Sequence, residues 1–335
     1  MADEERGGED DLIQKAFAPL ASSFAGALGL MDDCAFLSPP DGHDLVLTAD
    51  AVAAGVHFFP DDDPSDIAWK ALAVNVSDLI AKGARPLVYL SALSFPERPE
   101  QAWLDGFTRG LAEAQSAFGL QLAGGDTDRR PGPLSVSVTA IGAVPRGRMV
   151  QRATGRAGDV LFLSGTVGDS ALGLLLRQDQ ARRTALGLDE TGASFLLGRY
   201  LRPAPPLPLA PLLPDYATAA MDLSDGLAKD CGRLAHASGV GAEIEIARLP
   251  LSEAARRAVG RMPDLIEAVL AGGDDYQVLG AVEAARADDF IAEAAHCGVT
   301  VTPIGRLVEG SGLSIVAPGG QSFVLRRSGW DHFPG

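Results

Sequence analysis

The spacing of apolar and polar positions changes repeatedly along this chain, and it reads as strands interleaved with helices. A helix is predicted from Asp11 to about Leu20, after a solvated acidic tail over residues 1–11. Leu45–Val46–Leu47–Thr48 is an apolar run that predicts a strand continuing towards Asp50. The polar turn Asp61–Asp62–Asp63–Pro64 precedes a helix over 66–81. A strand follows over 86–94, a helix over 100–118, and a short strand at Leu120–Gln121–Leu122–Ala123 that ends on Gly124–Gly125–Asp126. Val, Ser and Thr alternate over 134–144 with the period of two that a strand imposes. Later strands are predicted over 159–164, 217–222 and 276–282. Helices are predicted from Asp169 to Leu176 and over 226–238, 264–271 and 283–296. Residues 145–158, rich in Gly and Arg, read as a connection between domains. The prolines from Pro203 to Pro214 read as an extended, polyproline II-like connector. The class is α/β or α+β in two halves.

Composition narrows the picture. At 335 residues with 47% apolar and 21% charged side chains, the chain can bury a large core and has the length of about two domains. The net charge of −16 excludes a broad footprint for nucleic acid or an anionic membrane. It would also repel a phosphorylated ligand unless bound cations reverse the local potential. Cys34, Cys231 and Cys297 form no CxxC pair, no HExxH is present, and no run of about 18 uncharged apolar residues occurs. Residues 1–11 lack the apolar stretch of a secretory signal. A reduced, cytoplasmic, soluble protein is expected.

The candidate chemistry is acidic, and each acidic site also has a plainer reading. Asp32–Asp33 repel each other unless a cation lies near, or they form a solvated turn. Thr48 and Asp50, two apart on a strand, present hard oxygen donors to one face, as magnesium requires, or they end the strand in an ordinary turn. His57 follows in Gly55–Val56–His57–Phe58, where a structural role is the plainer one. Asn75 and Asp78 share a face of an otherwise apolar helix, where a polar pair must be satisfied. In Ala123–Gly124–Gly125–Asp126–Thr127 the glycines let backbone N–H groups approach a phosphate beside a metal-binding Asp126, or they simply make a tight turn. There is no GxxxxGK[ST] and no GxGxxG. In Met221–Asp222–Leu223–Ser224–Asp225–Gly226, Ser224 or Asp225 caps the following helix, and Asp222 with Asp225 remains near its N-terminus, where a metal-bound phosphate would sit. Gly124–Gly125–Asp126–Thr127 recurs as Gly272–Gly273–Asp274–Asp275, which hints at duplication. Together these sites describe a cage of oxygen ligands for several Mg²⁺ ions holding a polyphosphate.

On these residues the chain resembles the thiamine-monophosphate kinase family, in the superfamily of aminoimidazole ribonucleotide synthetase and selenophosphate synthetase. The likeness runs from about Leu12 to Phe333. It rests on Asp32–Asp33–Cys34–Ala35, Thr48–Ala49–Asp50, Gly55–Val56–His57–Phe58, the stretch from Lys70 to Leu79, and Gly124–Gly125–Asp126–Thr127. The matching motifs continue with the stretch from Ser164 to Ser170, Asp222–Leu223–Ser224–Asp225–Gly226–Leu227, Gly272–Gly273–Asp274–Asp275–Tyr276 and Gly329–Trp330–Asp331–His332–Phe333.

The resemblance implies two domains, 1–148 and 149–335. The first would bind ATP and Mg²⁺ and pair through its strands into a homodimer sheet or barrel. The second would be α/β. It implies transfer of the ATP γ-phosphoryl group to thiamine monophosphate, with Asp33, Thr48, Asp50, Asp78, Asp126, Asp222 and Asp225 on Mg²⁺. By the same resemblance Gly125, Asp126, Arg152 and Ser224 would contact ATP, and His57, Asp274 and Trp330 would contact the thiamine substrate. The chain departs from the family pattern at Met31, Ala49, Asp128 and Asp274, where Gly, Thr, a neutral residue and Glu are usual. Two rival readings are a non-catalytic nucleotide-binding paralogue and a selenophosphate synthetase. The latter requires a reactive Cys and a nearby Lys early in the chain, where only Lys15 is present before residue 31.

Overall fold

The computed structural model describes residues 8–327 and 329–331, so His332 and Phe333 of the C-terminal motif lie outside the described residues. The chain divides into two compact units. One holds the chain up to Leu79 together with Pro86–Gly147. The other holds Ile80–Arg85 with everything from Arg148 on. A contiguous split at 148/149 therefore omits a crossover, because residues 80–85 belong with the second unit: the Lys82 ammonium donates to the Ala220 carbonyl at 2.7 Å.

The first unit contains β1 (His43–Ala53), α1 (Pro64–Ala81), β2 (Arg85–Phe95), α2 (Gln101–Phe118), β3 (Gln121–Arg129) and β4 (Ser135–Pro145). The strands form one sheet in the order β1-β4-β2-β3, with β1 antiparallel to β4 and β2 parallel to β3. Helix α1 is apolar on nearly every side and buried over Ala71–Ser77, as a helix inside a core must be. Helix α2 is amphipathic, with Leu104, Phe107, Leu111, Ala114 and Phe118 inward, and it stops at left-handed Gly119. On β2, Tyr89 and Leu93 are buried, and the Tyr89 hydroxyl bonds Gln115 of α2. The alternate residues Leu90 and Ala92 are exposed, as is Leu47 on β1. One face of the sheet is thus helix-covered and the other is open.

The second unit contains β5 (Val160–Ser164), α3 (Asp169–Gln178), α4 (Glu190–Leu201), β6 (Ala217–Asp222), α5 (Leu227–Ala237), β7 (Gly241–Glu245), α6 (Glu253–Arg261), α7 (Ile266–Ala271), β8 (Val278–Val282), α8 (Ala287–His296), β9 (Val301–Val308) and β10 (Gly312–Val316). Its sheet runs β10-β7-β9-β5-β8-β6, and among these pairs only β10 with β7 is parallel. Strand β5 shows how the layers form. Leu161 and Leu163 join one core cluster with Leu227, Cys231 and Leu234 of α5. Phe162 projects from the other face and packs its ring on Phe290 of α8, 4.8 Å between centroids.

Several expectations are corrected. The proline-rich segment is not extended: Leu207–Leu212 is a 3-10 helix and Leu213–Tyr216 a short α-helix, because most of its prolines can occupy first-turn positions that need no N–H. Helices α4 and α6 and strands β7, β9 and β10 carry no expectation from the hydrophobic pattern. Both helices do have a sequence signal, an N-cap: Asp189 accepts from the Gly192 N–H and Ser252 from the Ala255 N–H. Gly124–Gly125–Asp126–Thr127 is no turn but lies within β3. Among the described residues, no helix is long and apolar enough to cross a membrane.

Candidate active site

In the first unit the sequence-selected residues form two groups. Thr48 on β1 donates its hydroxyl to Asp78 on α1 at 2.5 Å. Two residues along, the Asp50 N–H donates to the Asn75 side-chain carbonyl at 3.0 Å, and the Asn75 amide N–H₂ donates to Ala71. The pairs expected separately on a strand and on a helix therefore face each other. Buried Asn75 is satisfied as a clamp between the two elements, while the Asp50 side chain stays exposed.

The second group lines a cleft of about 710 Å³ that includes Asp32, Asp33, Cys34, Gly124, Gly125, Asp126, Thr127, Ser137 and Thr139. Its apolar wall includes Phe17, Leu30 and Leu90. Gly125 is needed for packing rather than for a turn. It pairs with Ser91 across β2 and β3, and a Cβ there would lie 2.0 Å from the Ser91 carbonyl oxygen. Asp126, next along the strand, is exposed at the cleft. Thr48, Asp50 and Asp78 do not line this cleft.

His57 is held by structure: its Nδ1 accepts the Ala53 N–H at 3.1 Å, which leaves the ring proton on Nε2 in the neutral tautomer. Buried Lys70 donates to the His57 carbonyl and fixes the same turn.

In the second unit three segments meet on the backbone of residues 222–225. Trp330 donates its N–H to the Asp225 carbonyl, Asp274 to Ser224 and Tyr276 to Leu223, and Leu223 donates in return to Gln277. Asp222, Ser224, Asp225, Asp274 and Trp330 are thereby gathered. Arg152 is not part of this group by any such bond; it is exposed, and its carbonyl accepts from the Ser238 hydroxyl.

The expected cap on α5 is also corrected. Neither Ser224 nor Asp225 caps the helix; Gly226 holds that position with φ of 113°. Instead Asp230, fully buried in the first turn, reaches back and accepts the N–H groups of Ser224 and Asp225. Burial raises the Asp230 pKa, against the Asp225 N–H and Arg233, which lower it. Arg233 bridges the Asp230 and Asp225 carboxylates, and Lys229 pairs with Asp225 at 3.4 Å while donating to the Trp330 carbonyl. Asp230, Arg233, Lys229 and Tyr276 are thus additions that sequence reasoning missed. Their signal was present in the i,i+4 and i,i+3 spacing of Asp225 with Lys229 and of Asp230 with Arg233.

Among the described residues, no three His, Cys, Asp or Glu side chains gather into a metal cluster. The donors are oxygens spread one or two at a time. That spacing suits Mg²⁺, which takes one or two carboxylates and completes its shell with water and substrate phosphate. It does not suit zinc or a pre-formed all-protein cage.

Family models match in two stretches: AIR synthase related protein, N-terminal domain, over residues 31–144, and AIR synthase related protein, C-terminal domain, over 156–317. The thiamine-monophosphate kinase of Escherichia coli K12 is 39% identical over 328 residues, 97% of this chain and 98% of that one. The crystal structure of thiamine-monophosphate kinase from Stenotrophomonas maltophilia K279a superposes with a TM-score of 0.83 at 37% identity, covering 94% of this chain and 98% of that one. A structure described as AaThiL complexed with AMPPCP and TMP gives a TM-score of 0.75 at 33% identity, over 92% and 97% of the two chains.

Proposed function

This chain belongs to the thiamine-monophosphate kinases of the AIR synthase related family, and from that premise we propose how its residues serve the reaction. The reaction is ATP-dependent phosphorylation of thiamine monophosphate, giving thiamine diphosphate and ADP. The observation that carries the assignment to this chain is 39% identity across 97% of its length, with every expected carboxylate present.

The attacking group is a phosphate oxygen that is already ionised near neutral pH, so no general base is required. This agrees with His57, whose Nδ1 is occupied by a backbone N–H. The barrier is repulsion between two anions brought together by a chain of net charge −16. Magnesium, when bound, supplies the positive charge that offsets this repulsion. Its donors in the first unit are Asp33, Thr48, Asp50, Asp78 and Asp126, and in the second Asp222 and Asp225. Thr48 and Asp78 already share a proton between them, and Asp225 is held against Arg233 and Lys229, so each donor is pre-oriented before a ligand arrives. Gly125, Asp126, Ser224 and Arg152 address ATP; Arg152 is exposed and able to form a bidentate contact to phosphate. Asp274, His57 and Trp330 address the thiamine substrate. The half-exposed Trp330 ring offers a face to its cationic thiazolium.

The chain acts in the cytoplasm as a homodimer. The open face of the first sheet leaves Leu47 64% and Leu90 39% exposed, an apolar surface that a second copy would cover. Light scattering should report twice the chain mass, and Leu47→Asp should halve it.

The decisive assay combines thiamine monophosphate, ATP and Mg²⁺ and follows thiamine diphosphate by chromatography. Product that depends on all three supports the assignment. Nucleotide binding without product, or ADP release indifferent to thiamine monophosphate, overturns it.

A further inference from the structure

Asp275 is the member of the Gly272–Gly273–Asp274–Asp275–Tyr276 motif to which the reaction assigns no task. It is buried, and its carboxylate accepts the N–H of Gly168 at 2.7 Å and of Ser170 at 3.3 Å, where α3 begins. Its two neighbours turn the other way. Asp274 and Tyr276 give their N–H groups to Ser224 and Leu223, and the Tyr276 hydroxyl bonds the Asp274 carboxylate at 3.0 Å. Residues 273–277 therefore run between two fixed walls, the start of α3 and the 222–225 loop.

The backbone of this stretch is strained. Asp274 has φ of 69° and Tyr276 of 50°, in the left-handed region that side chains with a Cβ avoid. Gly273 cannot relieve it by shifting, since a Cβ there would lie 2.3 Å from the Ser224 carbonyl. Such conformations persist only where the surroundings over-determine them. The residue between the two strained positions, Asp275, is the one that fastens the segment to α3.

We infer that Asp275 is a positioning residue: by tying the strained 273–277 segment to the Gly168 and Ser170 N–H groups, it holds the Asp274 carboxylate and the Tyr276 ring in the arrangement that receives the thiamine end of the substrate. The inference rests on the proposed role of Asp274. The charged groups around it are consistent with a fixed anchor. Asp169 is occupied by the hydroxyls of Thr166 and Ser252, and Arg199 supplies the nearby positive charge.

The test compares the wild type with Asp275→Asn in steady-state kinetics, varying each substrate separately. The Asn amide nitrogen cannot accept, so one of the two N–H groups loses its partner while volume is kept. The expected result is a KM for thiamine monophosphate raised on the order of tenfold or more, with kcat and the KM for ATP within about twofold. An unchanged KM for thiamine monophosphate in the folded variant, or parallel loss of all three parameters, overturns the inference.

Hydrogen exchange on the wild type gives an answer that needs no variant. The amides of Gly168, Ser170, Asp274 and Tyr276 should open together and slow together when thiamine monophosphate is added without ATP. Exchange of Asp274 and Tyr276 that is independent of Gly168 and Ser170 also overturns it. Should the wild type make no thiamine diphosphate, the functional assignment fails, while common opening of the four amides still reports whether the anchor exists.

Discussion

Gly124–Gly125–Asp126 and Gly272–Gly273–Asp274 are written alike and folded differently. The first is extended within β3, with Asp126 exposed at a cleft. The second is an irregular loop ahead of β8, with Asp274 left-handed and the next residue, Asp275, buried. What they share is the reason for the middle glycine. In each, a Cβ would strike a carbonyl oxygen of a neighbouring segment, 2.0 Å away at Gly125 and 2.3 Å at Gly273. The motif thus encodes a close approach between two backbones. What the following carboxylate does with that approach depends on the partner: beside a strand edge it is presented to ligand, and between two walls it becomes an anchor. Equal text is not evidence of an equal site, and the hint of duplication gains nothing from these conformations.

The largest effect that would sharpen this contrast is on turnover. Asp126→Asn should lower kcat by about 10²–10³-fold, in line with removal of one preorganised electrostatic contact. Its thermal midpoint should hardly move, since the side chain is exposed and the backbone pairing with Ala92 is intact. Kinetics and a melting curve on one preparation check both halves. A variant that melts as early as Asp275→Asn would erase the distinction between presented and anchoring carboxylates.

Next in size is stability at the glycines. Gly125→Ala and Gly273→Ala should each lose about 1–3 kcal/mol by overpacking, read from urea unfolding midpoints. If either is tolerated without loss, the close approach is not what the motif encodes.

The smallest effect is a slope in pH. Burial pushes the Asp275 carboxyl up from 3.8 to about 7, with Asp169 adding to the rise and the Gly168 and Ser170 N–H groups and Arg199 opposing it. A folded-state value above the unfolded one means that the native chain binds the extra proton. The resulting stability is fully present below 3.8 and is lost as pH rises through about 7. Wild type should therefore gain on Asp275→Asn as pH falls across that window. Asp126→Asn should show no such change relative to wild type. Melting curves at matched ionic strength measure both differences.

Part of this site was legible in the residues. Strand β1, helices α1 and α2 and strand β6 carry periodicities long enough to assign. Thr48, Asp50, Asn75 and Asp78 were singled out on elements that indeed meet. The Asp222, Ser224, Asp225, Asp274 and Trp330 set came from motif likeness, and the fold gathers it on one stretch of backbone. The reversed cap by Asp230 was not legible, because Ser224 and Asp225 are themselves favoured capping residues and local preference pointed to them. Strands β7, β9 and β10 were missed because short segments paired in a sheet need no conspicuous alternation of their own.

By itself the sequence determined the longer elements, the acidic character and the family, since periodicity, charge and motif order are properties of the chain read in one dimension. Only the tertiary structure decided which aspartate is presented and which is buried, and whether two glycines lie in a strand or a loop. Those outcomes depend on a carbonyl or an N–H delivered from a distant segment. The desolvation and hydrogen bonding that follow belong to the packed pair and to neither residue alone.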